Sequence, residues 1–348
     1  MKGRAVILDH IAGRRAAALM VDGRLEDFLI DPPDGAGPAP GAIFRAVADR
    51  QMKGQGGVTL RLPGGQRGYL RQAKGLSPGT ALLVQVNSWA EPGKAAPVTT
   101  RLLFKSRYAI VTPGAPGLNI ARRIHDEEER VRLRAIADEA MAESAEGHGL
   151  ILRSAAAEVA EAAIAGDIAA MAGLAARVAA EAAGREPEAL LDAPGAETLA
   201  WRDWVDPDPD TVIDRAGAFA TEGVLDALAA LAAPEPLQGG GSMAVEPTRA
   251  LVAVDVDTGG DTSPAAGLKA DLAAAKALPR ALRLRGLGGQ IVVDMAPASR
   301  KDRRAIEAAL RAAFRDDPVE TALVGWTPLG HFELQRKRER LPLTELPL

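Results

Sequence analysis

The sequence predicts a multidomain chain of mixed α+β and α/β class. Three observations point there. Five short strand-like runs, broken by Gly-Gly turns, fall between residues 41 and 103. An alanine-rich helical run fills 156–183. Two nearly pure apolar runs, Leu251–Val254 and Ile291–Val293, are separated by a long helical pattern, the order of a βαβ unit. At 348 residues the chain is long enough for two or three domains, and 47% apolar with 25% charged residues suits a globular protein.

In order, residues 1–31 read as strands at Ala5–Leu8, Ala17–Val21 and Asp27–Ile30, the last two joined by the tight turn Asp22-Gly23. A Pro/Gly-rich linker covers 31–40. Strands around 43–47, 58–62, 68–70, 81–87 and 97–104 then suit a small barrel such as an OB-fold. Strands at 107–111 and 149–153 bracket an acidic helix, 127–142. In the alanine-rich run Val159, Ile164, Ile168, Met171, Leu174 and Val178 share one helical face, and Gly184 is expected to close the helix as a left-handed cap. A short helix is expected at 221–233. From 237 onward the βαβ pattern implies parallel strands, including a third at Thr321–Trp326, with both apolar strands buried on both faces. Ser299 with Asp302 forms a capping box for a helix burying Ile306, Leu310 and Phe314.

Composition excludes several kinds of chemistry. Without cysteine there are no disulfides, thiolate metal sites or cysteine nucleophiles. The histidines, His10, His125, His148 and His331, form no i,i+4 pair, so no zinc is expected. No Ser/His/Asp grouping can be placed, and Gly239-Gly240-Gly241-Ser242 lacks the lysine of a nucleotide P-loop. No signal peptide or spanning helix is evident, and the expectation is a cytoplasmic protein with no membrane partner. A net charge of -4 leaves any polyanion binding to local patches.

Both apolar strands end in aspartate, Asp255 and Asp294. In open α/β sheets ligands bind at the carboxyl ends of strands, so neighbouring strands would present both carboxylates to one crevice. Two hard oxygen donors suit Mg²⁺, or Mn²⁺, at a phosphate. Asp257 is placed on the opposite face of its strand, able to support the site if the chain bends after Asp255. The plainer reading is that aspartate at a strand end is a turn or cap residue. Residues 41–84 carry Arg45, Arg50, Lys53, Arg61, Arg67, Arg71 and Lys74 against one acid, Asp49. A basic small barrel in an acidic protein points to nucleic acid, with Phe44 and Tyr69 as base stackers; the alternative is a solvated charge face over core aromatics. Arg300, Lys301, Arg303 and Arg304, with Arg336, Lys337, Arg338 and Arg340, read as further phosphate contacts or as ordinary surface charge.

These segments, in this order, resemble the catalytic half of the ribonuclease E/G family. The run Leu282-Arg283-Leu284-Arg285-Gly286-Leu287-Gly288-Gly289 before the strand ending at Asp294 is the most specific part, and Asp255 and Asp294 match the family's two metal-binding aspartates. Asp257 falls where that family usually has asparagine, and Asp261 keeps a family position. Arg153-Ser154 matches an Arg-Thr pair that binds an RNA 5′-monophosphate, Ile110 matches a hydrophobic residue of that pocket, and Ser106 stands at a usual glycine. Arg122-Arg123 and Lys94 match RNA-contacting positions, and Tyr69 matches a stacking aromatic.

The resemblance implies a split ribonuclease H-like subdomain (1–38 and a reduced 199–230), an inserted OB-fold RNA-binding barrel (39–103), a 5′-sensor (104–198) and a DNase I-like catalytic domain (231–348). It implies Mg²⁺-dependent endonucleolytic cleavage of single-stranded, 5′-monophosphorylated RNA in processing or decay. The family's zinc-linking cysteines are absent, so no zinc-linked dimer is expected, and the small dimerisation domain and scaffold tail are expected to be missing; other oligomers stay open. The rival readings are a non-catalytic RNA-binding paralogue and a metal phosphodiesterase acting on DNA or small substrates.

Overall fold

A computed structural model describes residues 2–51, 56–71, 73, 75–142, 147–204 and 206–343, with backbone alone at Arg50 and Gln51. The chain divides into two compact units, Met1–Ile30 with Thr211–Leu348, and Asp31–Asp210. It opens with an antiparallel meander of β1 (Arg4–Ile11), β2 (Arg14–Val21) and β3 (Arg24–Ile30). At the β2–β3 turn Asp22 and Gly23 have φ of 49° and 79°, as a two-residue type I′ hairpin requires.

In the unit Asp31–Asp210, β4 (Ile43–Gln51), β5 (Val58–Arg61), β6 (Arg67–Leu70), β7 (Ala81–Val86) and β8 (Ala96–Thr99) form a closed barrel. Its order is β4-β5-β6-β8-β7, with β7 returning to β4. Only β6 and β8 run parallel, an OB-like arrangement. Alternation sends Phe44, Ala46 and Ala48 into its core with Leu60, Val84 and Val98.

A second sheet follows, in order β11-β12-β10-β9. Its strands are β9 (Phe104–Lys105), β10 (Ala109–Thr112), β11 (Gly117–Ile120) and β12 (Gly149–Leu152). Between β11 and β12 lies α1 (Glu127–Met141), capped by Asp126, which accepts from the amides of Glu128 and Glu129. Three first-turn glutamates favour its N-terminus electrostatically.

Next, α2 (Glu161–Ala180) buries Ile164, Ile168 and Val178 and partly covers Met171 and Leu174, while Val159 precedes it. With its 3₁₀ extension, Glu161–Ala183 is long and apolar enough to cross a membrane by length and composition. Alanine keeps its hydropathy high although Asp167 and Arg177 interrupt the run, so it is still not an uncharged stretch, and Ile164, Ile168 and Val178 pack into this unit's core.

Gly184 is not a left-handed cap: its φ is -66°. A Cβ there would collide with the Arg45 guanidinium, so the glycine leaves room for that side chain. Lastly β13 (Glu188–Leu191) pairs with β4, and α3 (Ala196–Asp203) ends this unit.

Returning to the first unit, β14 (Thr211–Asp214) joins β1 in parallel. A short helix, α4 (Ala218–Thr221), is followed after Gly223, with φ 75°, by α5 (Val224–Ala229) and a 3₁₀ turn to Ala232, which form the helix expected at 221–233. The last sheet has the order β15-β16-β17-β18-β20-β19. Its elements are β15 (Glu235–Pro236), β16 (Ser242–Pro247), β17 (Val252–Asp257), α6 (Ala266–Leu284), β18 (Gly289–Asp294), α7 (Arg300–Arg315), β19 (Thr321–Trp326) and β20 (Phe332–Arg336). The expected capping box forms, with Ser299 and Asp302 bonding reciprocally.

Two expectations about this sheet are corrected. Only β17 and β18 are parallel; β20 intervenes between β18 and β19, antiparallel to both. The apolar strands are also not buried on both faces. Val252, Val254 and Val256 are buried in one core with Leu278, Leu282 and Ile306, whereas Asp255 and Asp257 on the other face are exposed. Ala253 and Val292 occupy outward positions only half covered, so an apolar run overstated the burial.

The C-terminal arginines are likewise structural. Arg336 is 1% exposed and donates to Asp317 at 2.9 Å. Arg340 is paired with Asp27. Arg283 of the Leu-Arg-Leu-Arg run reaches Glu26 at 2.9 Å, and Arg285 donates to the Leu231 carbonyl at 2.9 Å. Asp317 and Asp27, the acceptors of Arg336 and Arg340, are themselves buried, the pairing a desolvated guanidinium needs.

Candidate active site

The parallel register of β17 and β18 sets Asp255 directly opposite Asp294. Asp294 ends β18, Asp255 lies two residues before the end of β17, and both are exposed. On the other side of β18, Val293 pairs with Phe332 of β20, so the next residue, His331, flanks Asp294. Its Nδ1 is 3.1 Å from Asp294 Oδ1. An ionised carboxylate can only accept, so as a hydrogen bond to it the contact takes Nδ1–H as the donor. Asp255, Asp294 and His331 therefore form a row across three adjacent strands. His331 was not singled out in the sequence as part of this site, because the strand that positions it was not recognised there.

Asp257 is on the same face as Asp255, correcting its placement on the opposite one. The strand continues unbroken to Asp257, and residues two apart share a face. Its Oδ1 accepts from Gly259 N at 2.7 Å, which fixes the turn after the strand. Asp261 accepts from Ser263 N at 2.9 Å and from Lys269 Nζ at 3.1 Å. Those hydrogen bonds, Ser263 first, hold its carboxyl at about 2.

Asp271 of α6 is fully buried, and its Oδ1 accepts from Ala296 N at 3.0 Å, tethering the loop that follows Asp294. Its Oδ2 has no partner among the described residues. Burial pushes this carboxyl up to about 6. At the start of α7, Arg303 stacks on Trp326 at 4.7 Å, while Trp326 donates to Glu307 at 2.8 Å.

The donor chemistry fits a Mg²⁺ ion. Among the described residues no group of three or more acidic, histidine or cysteine side chains is disposed to enclose a metal. Two exposed carboxylates in register instead suit an ion that keeps most of its waters and takes one or two protein oxygens. Asp255 and Asp294 are the residues that would hold it.

In the other unit, Arg153 follows β12 and is fully engaged. Its Nη1 donates to the carbonyls of Ser106 at 2.6 Å and Arg202 at 3.0 Å, and Nη2 donates to Asp203 Oδ1 at 2.8 Å. Arg202 also donates to Asp203, at 2.7 Å. Burial raises the Asp203 carboxyl, but these two guanidinium groups outweigh it and hold the group below its usual range. The Ser106 hydroxyl donates to Asp167 at 2.6 Å. Ser154 begins a 3₁₀ turn beside Arg153, and Ile110 lies half-buried on β10.

On the barrel, Phe44 is 8% exposed and belongs to the core, so it is not a base stacker. Arg45 is also removed from the basic surface: it is buried and paired with Glu188 and Glu181. Arg61, Arg67 and Arg71 are exposed. Lys53, Lys74 and the side chain of Arg50 lie outside the described residues. Tyr69 is half-buried with its ring against Gly57, where a Cβ would strike it. Lys94 is exposed but paired with Glu91 at 2.6 Å. Arg122 and Arg123 are exposed beyond β11.

A sequence model of the ribonuclease E/G family matches residues 104–222 and 218–339, well over half of the chain. The chain belongs to the ribonuclease E/G family. It is 29% identical to Ribonuclease G of Salmonella typhimurium (strain SL1344) over 306 residues, 75% of this chain and 60% of that protein. Its identity to Ribonuclease E of Synechocystis sp. is 29% over 365 residues, 92% of this chain and 53% of that protein. A shorter match, 35% identical over 116 residues, is to the chloroplastic Ribonuclease E/G-like protein of Arabidopsis thaliana, covering 31% of this chain and 12% of that one. This ribonuclease E/G family member thus spans little more than half the length of the two bacterial relatives. The acid row lies inside the family match, the barrel outside it.

Proposed function

We propose that this chain is a Mg²⁺-dependent endoribonuclease that cuts single-stranded RNA, with preference for 5′-monophosphorylated ends, in RNA processing or decay in the cytoplasm. The observation that carries this reading is the in-register, exposed pair Asp255 and Asp294 near the carboxyl ends of adjacent parallel strands. When bound there, Mg²⁺ neutralises the scissile phosphate and lowers the pKa of an attacking water. The chain's own part is to hold two oxygens side by side on a rigid sheet, with Asp257 adding negative charge on the same face. Hydrolysis at phosphorus with departure of the 3′ oxygen leaves 3′-hydroxyl and 5′-phosphate products. Arg153 and Ser154 receive the 5′-phosphate, and Ile110 lines that pocket. Tyr69, Lys94, Arg122 and Arg123 contact the RNA.

The domain reading that goes with this function is a ribonuclease H-like part at 1–38 and 199–230, an RNA-binding barrel at 39–103, a 5′-sensor at 104–198 and a DNase I-like catalytic domain at 231–348. The test is cleavage of a short, fluorescent, 5′-monophosphorylated RNA with Mg²⁺. Cutting that is lost in Asp294→Ala and slowed on a 5′-hydroxyl RNA is the expected result. Tight binding without cutting would make the chain an RNA-binding paralogue. Equal cutting of DNA would make it a general phosphodiesterase.

A further inference from the structure

We propose that His331 is a positioning residue for Asp294: by donating its Nδ1 proton to Oδ1, it fixes the carboxylate so that Oδ2 stays available to a divalent cation. The inference rests on reading Asp255 and Asp294 as the metal-holding pair and adds a residue to it. His331 stands next in register to Asp294 across β18 and β20, 3.1 Å from its Oδ1. With the Nδ1 proton directed at the carboxylate, that nitrogen is not itself a ligand. The contact engages Oδ1 alone, so the two oxygens are differentiated, Oδ1 held by His331 and Oδ2 left to a cation.

The imidazole is well placed to act this way because its own anchor is rigid. Thr327 N donates to the His331 carbonyl at 2.8 Å, and His331 N donates to Thr327 Oγ1 at 3.1 Å, closing the β19–β20 turn on both sides of the residue. The next residue, Phe332, is 1% exposed and packs edge-on against Trp326 at 5.2 Å. A merely stabilising role is weakly supported by the surroundings. The side chains are 34% and 63% exposed, and surface ion pairs of that kind contribute little to folding. Orienting a ligand carboxylate is where such a contact has a large effect: losing an outer partner of a metal ligand typically weakens binding about 10–100-fold.

The experiment is Mn²⁺ titration of the full chain at fixed pH, followed by loss of the free-ion electron paramagnetic resonance signal, in the wild type, His331→Leu, His331→Asn and Asp294→Asn. Asparagine carries an N–H donor where His has Nδ1; leucine carries none. His331→Leu is expected to weaken Mn²⁺ binding about tenfold, His331→Asn to restore most of it, and His331→Leu added to Asp294→Asn to cause no further loss. Thermal melting of each variant checks that the fold is retained. Unchanged or tighter binding in His331→Leu overturns the inference, as does an equal loss in the leucine and asparagine variants. A wild type that binds no Mn²⁺ overturns the metal-site reading itself, an outcome distinct from either.

Discussion

Asp255 and Asp294 in one unit and Arg153 in the other are both charged groups expected to meet phosphate or its counter-ion, yet they stand in opposite conditions. The two aspartates are exposed near their strand ends, and among the described residues the side chain that meets the pair is His331, on Asp294. Arg153 is surrounded by acceptors, with the Ser106 and Arg202 carbonyls and the Asp203 carboxylate all within 3.0 Å. A like-charged pair left open on a sheet favours an incoming cation. A cation already neutralised by Asp203 must exchange that partner, or share it, when an anionic 5′ end arrives. The first site is poised; the second has an internal competitor.

The largest expected effect breaks the comparison on the acidic side. Asp294→Ala or Asp255→Ala removes half of the protein's hold on the ion, and metal stabilisation of the transition state is worth several kcal/mol. Single-turnover cleavage of a monophosphorylated RNA should fall about a thousandfold. A drop of only a few-fold would mean that the pair is a turn feature.

The basic side comes next. Arg153→Ala should lower the ratio of cleavage rates on 5′-monophosphate and 5′-hydroxyl RNA by about tenfold, the worth of one charge-assisted hydrogen bond. Asp203→Asn should move that ratio the other way, by a smaller factor, because it removes the competing charge while keeping an acceptor for the guanidinium. If Asp203→Asn lowers the ratio instead, Asp203 serves to orient Arg153 and the contrast between the two sites fails.

Asp271 sharpens the contrast within the acidic unit, since it is a carboxyl that is buried rather than open. Its folded value of about 6 lies above the ordinary 3.8, so the folded chain holds the proton more tightly. The associated stability is present below about pH 4 and is lost as pH rises through about 6. Asp271→Asn keeps an oxygen for Ala296 N and removes the buried charge. It should raise stability above pH 6 by about 2 kcal/mol, with the gain shrinking toward pH 4. Thermal melts at pH 7.5 and pH 5 measure it; an equal gain at both would show that charge is not the cause.

How much of this was legible beforehand follows from which contacts are local. The barrel could be read because Gly-Gly turns punctuate short alternating strands, and the acid pair because apolar runs ended in aspartate. The face of Asp257 was also legible, since residues two apart share a face, and placing it opposite Asp255 miscounts that period. Phe44 and Arg45 deceived because composition marks a basic barrel without saying which residues point inward. Arg336 looked like surface charge because Asp317, its buried partner, lies on another element. The pairing of Arg153 with Asp203 joins residues fifty positions apart and leaves no local trace. His331 was hidden for the same reason: its meaning depends on the register of β20 against β18.

The smallest effect probes how open the acid row is. Asp257 shares the face of Asp255, two strand positions or about 7 Å away. At an exposed site a unit charge at that distance from a divalent ion is worth about 1.2 kcal/mol in salt-free water, and screening at about 0.1 M salt halves it to about 0.6 kcal/mol, a factor of about three in affinity. Asp257→Asn keeps an oxygen for Gly259 N, so the turn survives while the charge goes. The Mn²⁺ dissociation constant should therefore rise about threefold, and added salt should erase the difference, as screening demands. A loss of tenfold or more that persists in salt would instead place Asp257 on the metal. The row would then hold three carboxylate ligands, and the site would be a partly enclosed cage in place of an open pair.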